Sequence, residues 1–199
     1  MRRGGGDLPR RRCPGGTDLS LGGGGPRRRL RRAIASRPPP RPPLITVSGA
    51  ADASEAQLTA AEEVGSLLAQ RGAVVLCGGL GGVMDAAARG VRAAGGICIG
   101  LLPGWEAEDA SAEVTLAIPT GLGEMRNALL ARGCAAMIAV GGGYGTLTEV
   151  AWALRLQRPV AAIGSWRLRR GDADTDDTAV YQATSPEDAV SWVLRSIGR

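Results

Sequence analysis

The chain has 199 residues, of which 44% are hydrophobic, and a formal net charge of +5. This length and hydrophobic content suit one ordinary domain with a sizeable core. All 24 basic residues are arginines and histidine is absent, which excludes Schiff-base chemistry on lysine, a Ser-His-Asp relay and a histidine-ligated metal site.

The positive charge is concentrated at the start of the chain. Residues 1–43 contain 12 arginines and only two acids, Asp7 and Asp18, among many glycines and prolines. Such a composition buries too little apolar surface to offset the entropy of ordering. The sequence therefore predicts a disordered Arg/Gly/Pro-rich tail over residues 1–43 and one folded domain over residues 44–199. Weak contact of the tail with nucleic acid is one hypothesis; a solvated tail or a misjudged start of translation are the simpler ones.

The cysteines and the hydropathy pattern indicate a cytoplasmic protein. The four cysteines lack any CxxC spacing, which favours buried thiols in a reducing compartment over disulfides or a metal site. No apolar run reaches the roughly 18 residues that a membrane span needs. We therefore expect no membrane partner and no metal.

From residue 44 onward, short apolar runs alternate with amphipathic segments, the pattern of a parallel sheet covered by helices. The predicted strands cover residues 44–48, 73–77, 96–101, 114–118, 135–140 and 159–163, with a short strand near Val180. Five helices are predicted. The first starts at Ser54, which forms a capping box with Gln57, and the last is capped by Ser185. The three between them cover residues 83–94, about 123–132 and 147–157. The fold class is thus a single doubly wound, Rossmann-like α/β domain with a mainly parallel sheet of about six strands and helices on both faces.

Two glycine-rich turns, at residues 78–82 and 141–146, each join a predicted strand to a predicted helix. A helix N-terminus carries unpaired N–H groups and partial positive charge, and glycine lets an anion approach the backbone closely. Neither turn has the lysine of a P-loop or the third glycine of a dinucleotide fingerprint. Because open parallel sheets bind ligands beyond the carboxyl ends of their strands, the sequence predicts one phosphate-ester site that receives both turns. The alternative is that the glycines only permit tight turns.

Two charged residues are candidates for the same site. Arg126 lies near the start of its predicted helix, where a cation opposes the helix dipole by about 0.3 to 1 kcal/mol, so an anionic partner is expected. Glu149 follows Thr146 by three residues, on the same helix face. The alternatives are that Arg126 pairs with Glu124 or a surface carboxylate and that Glu149 only favours the first turn of its helix.

The stretches GLGEMRN (residues 121–127) and IAVGGGYGTLTE (residues 138–149) resemble the signature of the Lonely Guy (LOG) superfamily, an arginine about two dozen residues before a PGGxGTxxE loop. GGLGGVMDAA, from residue 78, resembles the family's earlier GGGxxGLM-type turn, so the resemblance covers nearly all of residues 44–165. It implies a nucleoside 5′-monophosphate phosphoribohydrolase, which cleaves the N-glycosidic bond. The resemblance implies that Arg126 and Glu149 are catalytic and that Gly142, Gly143, Gly145 and Thr146 bind phosphate. We add Tyr144 to the predicted phosphate-binding residues, and predict as ligand-binding Gly78, Gly79, Gly81, Gly82, Met84 and Asn127. The alternative for Asn127 is a neutral residue at the start of a helix.

The chain departs from the LOG pattern at two positions. Gly141 replaces the loop proline, and Asn127 stands where the enzymes commonly have lysine. Both departures resemble a sister branch that includes carriers of the molybdenum cofactor. The leading hypothesis is the phosphoribohydrolase, and the alternative is a non-catalytic carrier of molybdenum cofactor or a related phosphorylated heterocycle. Neither requires a resident cofactor, and the label "lysine decarboxylase" that some relatives bear does not suit a chain without lysine.

The helix after the second turn also suggests self-association. Trp152 and Leu156 are four residues apart, which places them on one side of that helix. Together with the family resemblance, this predicts a homo-oligomer, a dimer or a tetramer. The alternative is that both side chains pack inside the monomer.

Overall fold

The computed structural model describes residues 41–169, 171 and 177–199. Residues 1–40, which carry most of the predicted tail together with Cys13, lie outside the described residues. The other cysteines, Cys77, Cys98 and Cys134, are buried and free, in the apolar positions that the sequence predicts. None of the helices in the described ranges combines the length and the apolar character that a membrane span requires.

Seven strands form one sheet in the order β4-β3-β2-β1-β5-β6-β7, and every neighbouring pair is parallel. The strands are β1 Leu44–Gly49, β2 Val74–Cys77, β3 Cys98–Leu102, β4 Leu116–Pro119, β5 Ala136–Val140, β6 Val160–Ile163 and β7 Val180–Gln182. The predicted doubly wound α/β class is confirmed. The sheet has seven strands instead of about six because the short segment at Val180 pairs with β6.

Five α-helices cover the sheet: α1 Glu55–Gln70, α2 Val83–Ala93, α3 Asn127–Gly133, α4 Tyr144–Arg155 and α5 Pro186–Ser196. The capping box of Ser54 and Gln57 is present, and the Ser185 hydroxyl accepts from the Asp188 N–H. Two helix starts differ from the prediction by more than one residue. The segment predicted as one helix is a 3-10 turn, Gly123–Arg126, followed by α3. Helix α4 begins three residues early because the glycine turn leads directly into it.

The helices pack on both faces of the sheet and enclose two separate hydrophobic cores. Alternate residues of β1 face opposite sides, as the pleat of a strand requires. Ile45 and Val47 join the core beneath α1, α2 and α5. Thr46 and Ser48 face the side of α3 and α4, where they bond to Leu130 and Glu149. The polar face of β1 therefore leads toward α4.

The order of the strands reverses between β1 and β5. The chain builds outward from β1 to β4 and then returns to place β5 on the other side of β1. In open α/β sheets such a reversal opens a crevice at the carboxyl ends of the strands, and ligands bind there. Both glycine turns follow strands that end at this edge.

Candidate functional site

A cavity of about 280 Å³ lies at the carboxyl ends of β1, β2 and β5. Its apolar wall is formed by Leu80, Met84 and Pro103, and its polar wall includes Arg126, Asn127, Thr146 and Glu149. The volume is close to the lower end of the roughly 300 to 1,000 Å³ that small-molecule sites occupy. One apolar wall facing a few converging polar groups is the usual composition of such a site.

Arg126 and Glu149 meet inside this cavity. Arg126 ends the 3-10 turn before α3, Glu149 lies in the second turn of α4, and their Nη1 and Oε1 atoms are 3.5 Å apart. Both residues are less than one tenth exposed. The hydroxyl of Ser48, near the end of β1, donates to the other carboxylate oxygen of Glu149. Arg126 thus pairs with Glu149 and not with Glu124, and both groups are buried rather than on the surface.

Burial changes the acidity of both partners. It lowers the pKa of the Arg126 guanidinium, and the neighbouring Glu149 opposes that change. Burial also raises the pKa of the Glu149 carboxyl, against the opposite effects of the Ser48 hydroxyl and of Arg126. The Nε atom of Arg126 is buried with no hydrogen-bond partner among the described residues. A buried cation with an unused donor is costly unless an acceptor reaches it, which favours an anionic ligand.

The second glycine turn brings an open helix N-terminus to the same cavity. The first hydrogen bond of α4 runs from the Leu147 N–H to the Gly143 carbonyl oxygen, at 3.0 Å. The N–H groups of Tyr144, Gly145 and Thr146 precede that bond and therefore have no acceptor within the helix. Gly145 and Thr146 line the cavity, so these donors and the helix dipole favour an anion there.

Gly141 cannot be the proline of the LOG pattern without a change of backbone. Its φ is +55°, whereas the ring of proline holds φ near −65°. Its N–H also donates to the Ile163 carbonyl oxygen at 3.0 Å, and proline has no N–H. A Cβ at this position would lie 2.1 Å from the side-chain nitrogen of Gln57. The observed conformation of the turn therefore requires glycine, and not proline, at position 141.

The first glycine turn has a different geometry. The Val83 N–H at the start of α2 already donates to the Ala50 carbonyl oxygen at 3.1 Å, and the Gly79 N–H donates to the Cys77 sulfur at 3.4 Å. A Cβ at Gly78 would lie 2.7 Å from both terminal nitrogens of Arg126. This turn therefore leaves room for the Arg126 guanidinium, and the Gly79 N–H within it and the Val83 N–H just after it already have acceptors.

The predicted residues are therefore distributed unevenly around the cavity. Of the predicted ligand-binding set, Met84 and Asn127 line it, while the four glycines of the first turn are not among its lining residues in the described ranges. Within the second turn, Gly145 and Thr146 line it, and Gly142, Gly143 and Tyr144 form the turn behind them. The sequence reasoning missed Ser48, although Thr46 and Ser48 at alternate positions of a mainly apolar strand were a usable signal.

Comparisons with known proteins bear on this site. A sequence model of the family described as the SLOG cluster4 family matches residues 42–190. The chain belongs to the SLOG cluster4 family. An uncharacterized protein of Archaeoglobus fulgidus is similar to this SLOG chain, with 35% identity over 153 residues that cover 76% of the chain and 95% of the relative.

Two solved structures are also similar to this SLOG chain. One is the molybdenum cofactor binding protein of Rippkaea orientalis, at 35% identity and a TM-score of 0.71, covering 80% of the chain and 99% of that protein. The other is the molybdenum cofactor carrier protein of Chlamydomonas reinhardtii, at 35% identity and a TM-score of 0.68, covering 80% and 100%. These findings confirm the predicted resemblance to a LOG-type branch that includes such carriers.

Proposed function

We propose that this protein binds the molybdenum cofactor, or a closely related phosphorylated pterin, and holds it without breaking a bond. The observation that carries the proposal is the similarity to two molybdenum cofactor binding proteins over nearly their whole length. This reverses the order of the two hypotheses from the sequence. The relatives favour the carrier, and none of those described above is named as a hydrolase.

The geometry of the cavity supports this proposal. The phosphate ester of the cargo would accept hydrogen bonds at the start of α4, beside Gly145 and Thr146. Arg126 would supply the positive charge, since its Nε is an unused donor. The heterocycle would lie against the apolar wall of Leu80 and Met84. Molybdenum would arrive as part of the cargo, so the protein needs no resident cofactor.

A second function, phosphoribohydrolysis, is favoured by one observation. Glu149 is a buried carboxylate whose pKa is raised, held between Ser48 and Arg126. With the phosphate anchored at α4, such a group could orient a water molecule or stabilise the oxocarbenium charge of a ribose. Water would then add across the N-glycosidic bond, and the products would be the free base and ribose 5-phosphate.

One experiment separates these functions. The purified protein is analysed by mass spectrometry for co-purifying pterin and is incubated with AMP and GMP, with free base measured by chromatography. A carrier retains a phosphorylated pterin and releases no base. A hydrolase releases base, and Glu149→Gln abolishes that release while Glu63→Gln, on the exposed side of α1, does not. A wild-type protein that binds neither pterin phosphates nor nucleotides contradicts both.

We further propose that the protein forms a homo-oligomer, a dimer or a tetramer. Trp152 on α4 is 40% exposed, and tryptophan is enriched at protein interfaces. Leu156 instead packs against the core beneath α4. Light scattering coupled to gel filtration tests the proposal: Trp152→Glu is expected to shift an oligomer toward monomer. A wild-type monomer at micromolar concentration would contradict it.

The roles of residues 1–43 and the cytoplasmic location stay predictions from composition. If the arginine-rich tail contacts nucleic acid, deletion of residues 1–43 removes retention on DNA and leaves mononucleotide binding unchanged. Equal retention with and without the tail would contradict that hypothesis.

A further inference from the structure

Ser165 and Trp166, the second and third residues after β6, bond to the second glycine turn from outside the cavity. The Ser165 hydroxyl donates to the Gly141 carbonyl oxygen. The indole N–H of Trp166 donates to the Gly143 carbonyl oxygen at 3.1 Å. Neither residue is among those that line the cavity in the described ranges. Their contact with a bound ligand would therefore be indirect, through the turn.

Besides these two side chains, the Ile163 carbonyl oxygen and the Leu147 N–H bond to the backbone of the turn. It contains three successive glycines, and Gly141 and Gly142 have φ values of +55° and +106°. Glycine loses more conformational freedom on ordering than any other residue, so this turn is costly to hold in one conformation. Side-chain donors at two of its three carbonyl groups reduce the number of conformations that it can adopt.

The orientation of these carbonyl groups matters for an anion. A carbonyl oxygen that faced a phosphate would repel it, whereas N–H groups attract it. The Gly143 carbonyl oxygen accepts from both Trp166 and the Leu147 N–H, which keeps it directed along α4. The Gly141 carbonyl oxygen is held by Ser165. The carbonyl oxygens of Gly141 and Gly143 therefore both have donors within the protein, and the free N–H groups that begin α4 remain for an anion.

Trp166 also contacts the first residue of α4. Its ring and that of Tyr144 have centroids 5.7 Å apart at an interplanar angle of 35°. Tyr144 is 82% exposed, so this ring contact is a main restraint on its side chain. The same residue thus restrains the turn by a hydrogen bond and the start of the helix by an aromatic contact.

We propose that Ser165 and Trp166 are positioning residues, which hold the turn at residues 141–143 in the shape that presents the N-terminal N–H groups of α4 to a phosphate. The inference rests on the proposed function, because it assumes that a phosphate ester binds there. It adds two residues that belong to neither glycine motif and that act without touching the ligand.

The test measures the affinity for inorganic phosphate by calorimetry, together with urea unfolding and hydrogen exchange at residues 141–146. Trp166→Phe keeps a ring beside Tyr144 and removes the donor, and Ser165→Ala removes the hydroxyl. Each is expected to weaken phosphate binding about three- to tenfold, the effect of one lost hydrogen bond, and to speed exchange in the turn. Ser165→Thr, which keeps a hydroxyl, is expected to restore the wild-type affinity.

Two matched controls remove the same groups elsewhere. Trp192→Phe, on α5 and not among the described residues that line the cavity, removes another indole N–H. Ser196→Ala removes a hydroxyl that bonds within α5. Both are expected to leave phosphate affinity unchanged. If wild type binds phosphate and the Ser165 and Trp166 variants bind it equally well, the inference is wrong and the proposed function stands. If wild type binds no phosphate at millimolar concentration, the proposed function fails and the inference fails with it.

Discussion

The two glycine turns look equivalent in the sequence and differ in what their amide groups do. After β2, the Val83 N–H that begins α2 is bonded to Ala50, and Gly82 lies against the Ala51 carbonyl oxygen. After β5, the first N–H groups of α4 have no acceptor in the helix, and Thr146 opens on the cavity. In the described residues, the glycines of the first turn do not line the cavity, whereas Gly145 of the second turn does.

The difference teaches that a strand, a glycine turn and a helix do not by themselves make a phosphate site. What decides is whether the chain already supplies acceptors to the N–H groups that begin the helix. At the first turn the chain supplies one such acceptor, the Ala50 carbonyl oxygen for the Val83 N–H, and the Arg126 guanidinium lies where a Cβ of Gly78 would be. In the proposed site, the first turn would therefore position a cation, and the second would bind the phosphate with its own backbone N–H groups.

The largest expected effect tests the packing of the first turn. In Gly82→Ala the new Cβ would lie 2.3 Å from the Ala51 carbonyl oxygen, at a φ of +65°. Overpacking and the left-handed backbone should lower the free energy of unfolding by about 3 kcal/mol, measured by urea denaturation. Gly145→Ala is the matched change in the second turn, where a Cβ meets nothing within 4 Å; it should be neutral or stabilise by up to about 1 kcal/mol. Equal losses of unfolding free energy in the two variants would show that the two turns do not differ in packing.

The next effect concerns the Arg126 guanidinium, which lies beside Gly78 of the first turn. Arg126→Met removes the buried charge and should weaken sulfate binding about 10- to 100-fold, the effect of losing a hydrogen bond to a charged group. Arg155→Met, at the exposed end of α4, is the control for net charge and should change the affinity by less than about twofold. Calorimetry measures both. An unchanged affinity in Arg126→Met would mean that α4 alone holds the anion.

The raised pKa of Glu149 predicts a dependence on pH. As pH falls through that pKa, the carboxyl takes up a proton and stops competing for Arg126, so sulfate, which keeps its charge, should bind several-fold more tightly. The pKa of Glu149 is higher in the folded protein than in the unfolded chain, where it is about 4.3. Between these two pKa values the folded state holds more protons than the unfolded state. The free energy of unfolding should therefore fall as pH rises through this range.

Glu149→Gln checks both parts of this prediction. It should bind sulfate with an affinity that hardly changes with pH, and its unfolding should depend less on pH than that of wild type. A glutamine variant that retains the full pH dependence would assign the effect to another group.

The smallest effect probes the contact between the first turn and the arginine. In Gly78→Ala the new Cβ would meet Met84 Sδ at 2.5 Å and the Arg126 nitrogens at 2.7 Å. These are the ends of flexible side chains, so they can move aside and stability should fall by no more than about 1 kcal/mol. Displacement of the guanidinium should weaken sulfate binding a few-fold. Wild-type affinity in this variant would show that Arg126 does not depend on Gly78 for its position.

Part of the site could be predicted from the sequence because its signals are local. Arg126, Thr146 and Glu149 were identified from helix-start position, helix spacing and motif resemblance, and the structure places all three at one cavity. Ser48, Ser165 and Trp166 were not identified, because their partners are more than 20 residues away along the chain. No local pattern marks such a pair.

The sequence by itself determined the elements, since apolar periodicity, capping residues and glycine turns act over a few residues. It determined the parallel α/β class and the exclusion of lysine and histidine chemistry as well. The tertiary structure decided which glycine turn lines the cavity, which carboxylate pairs with Arg126 and which side chains bond to the second turn. These depend on contacts between segments distant in sequence, such as Ala50 with Val83 and Ser48 with Glu149, and such contacts arise only when the sheet brings the segments together.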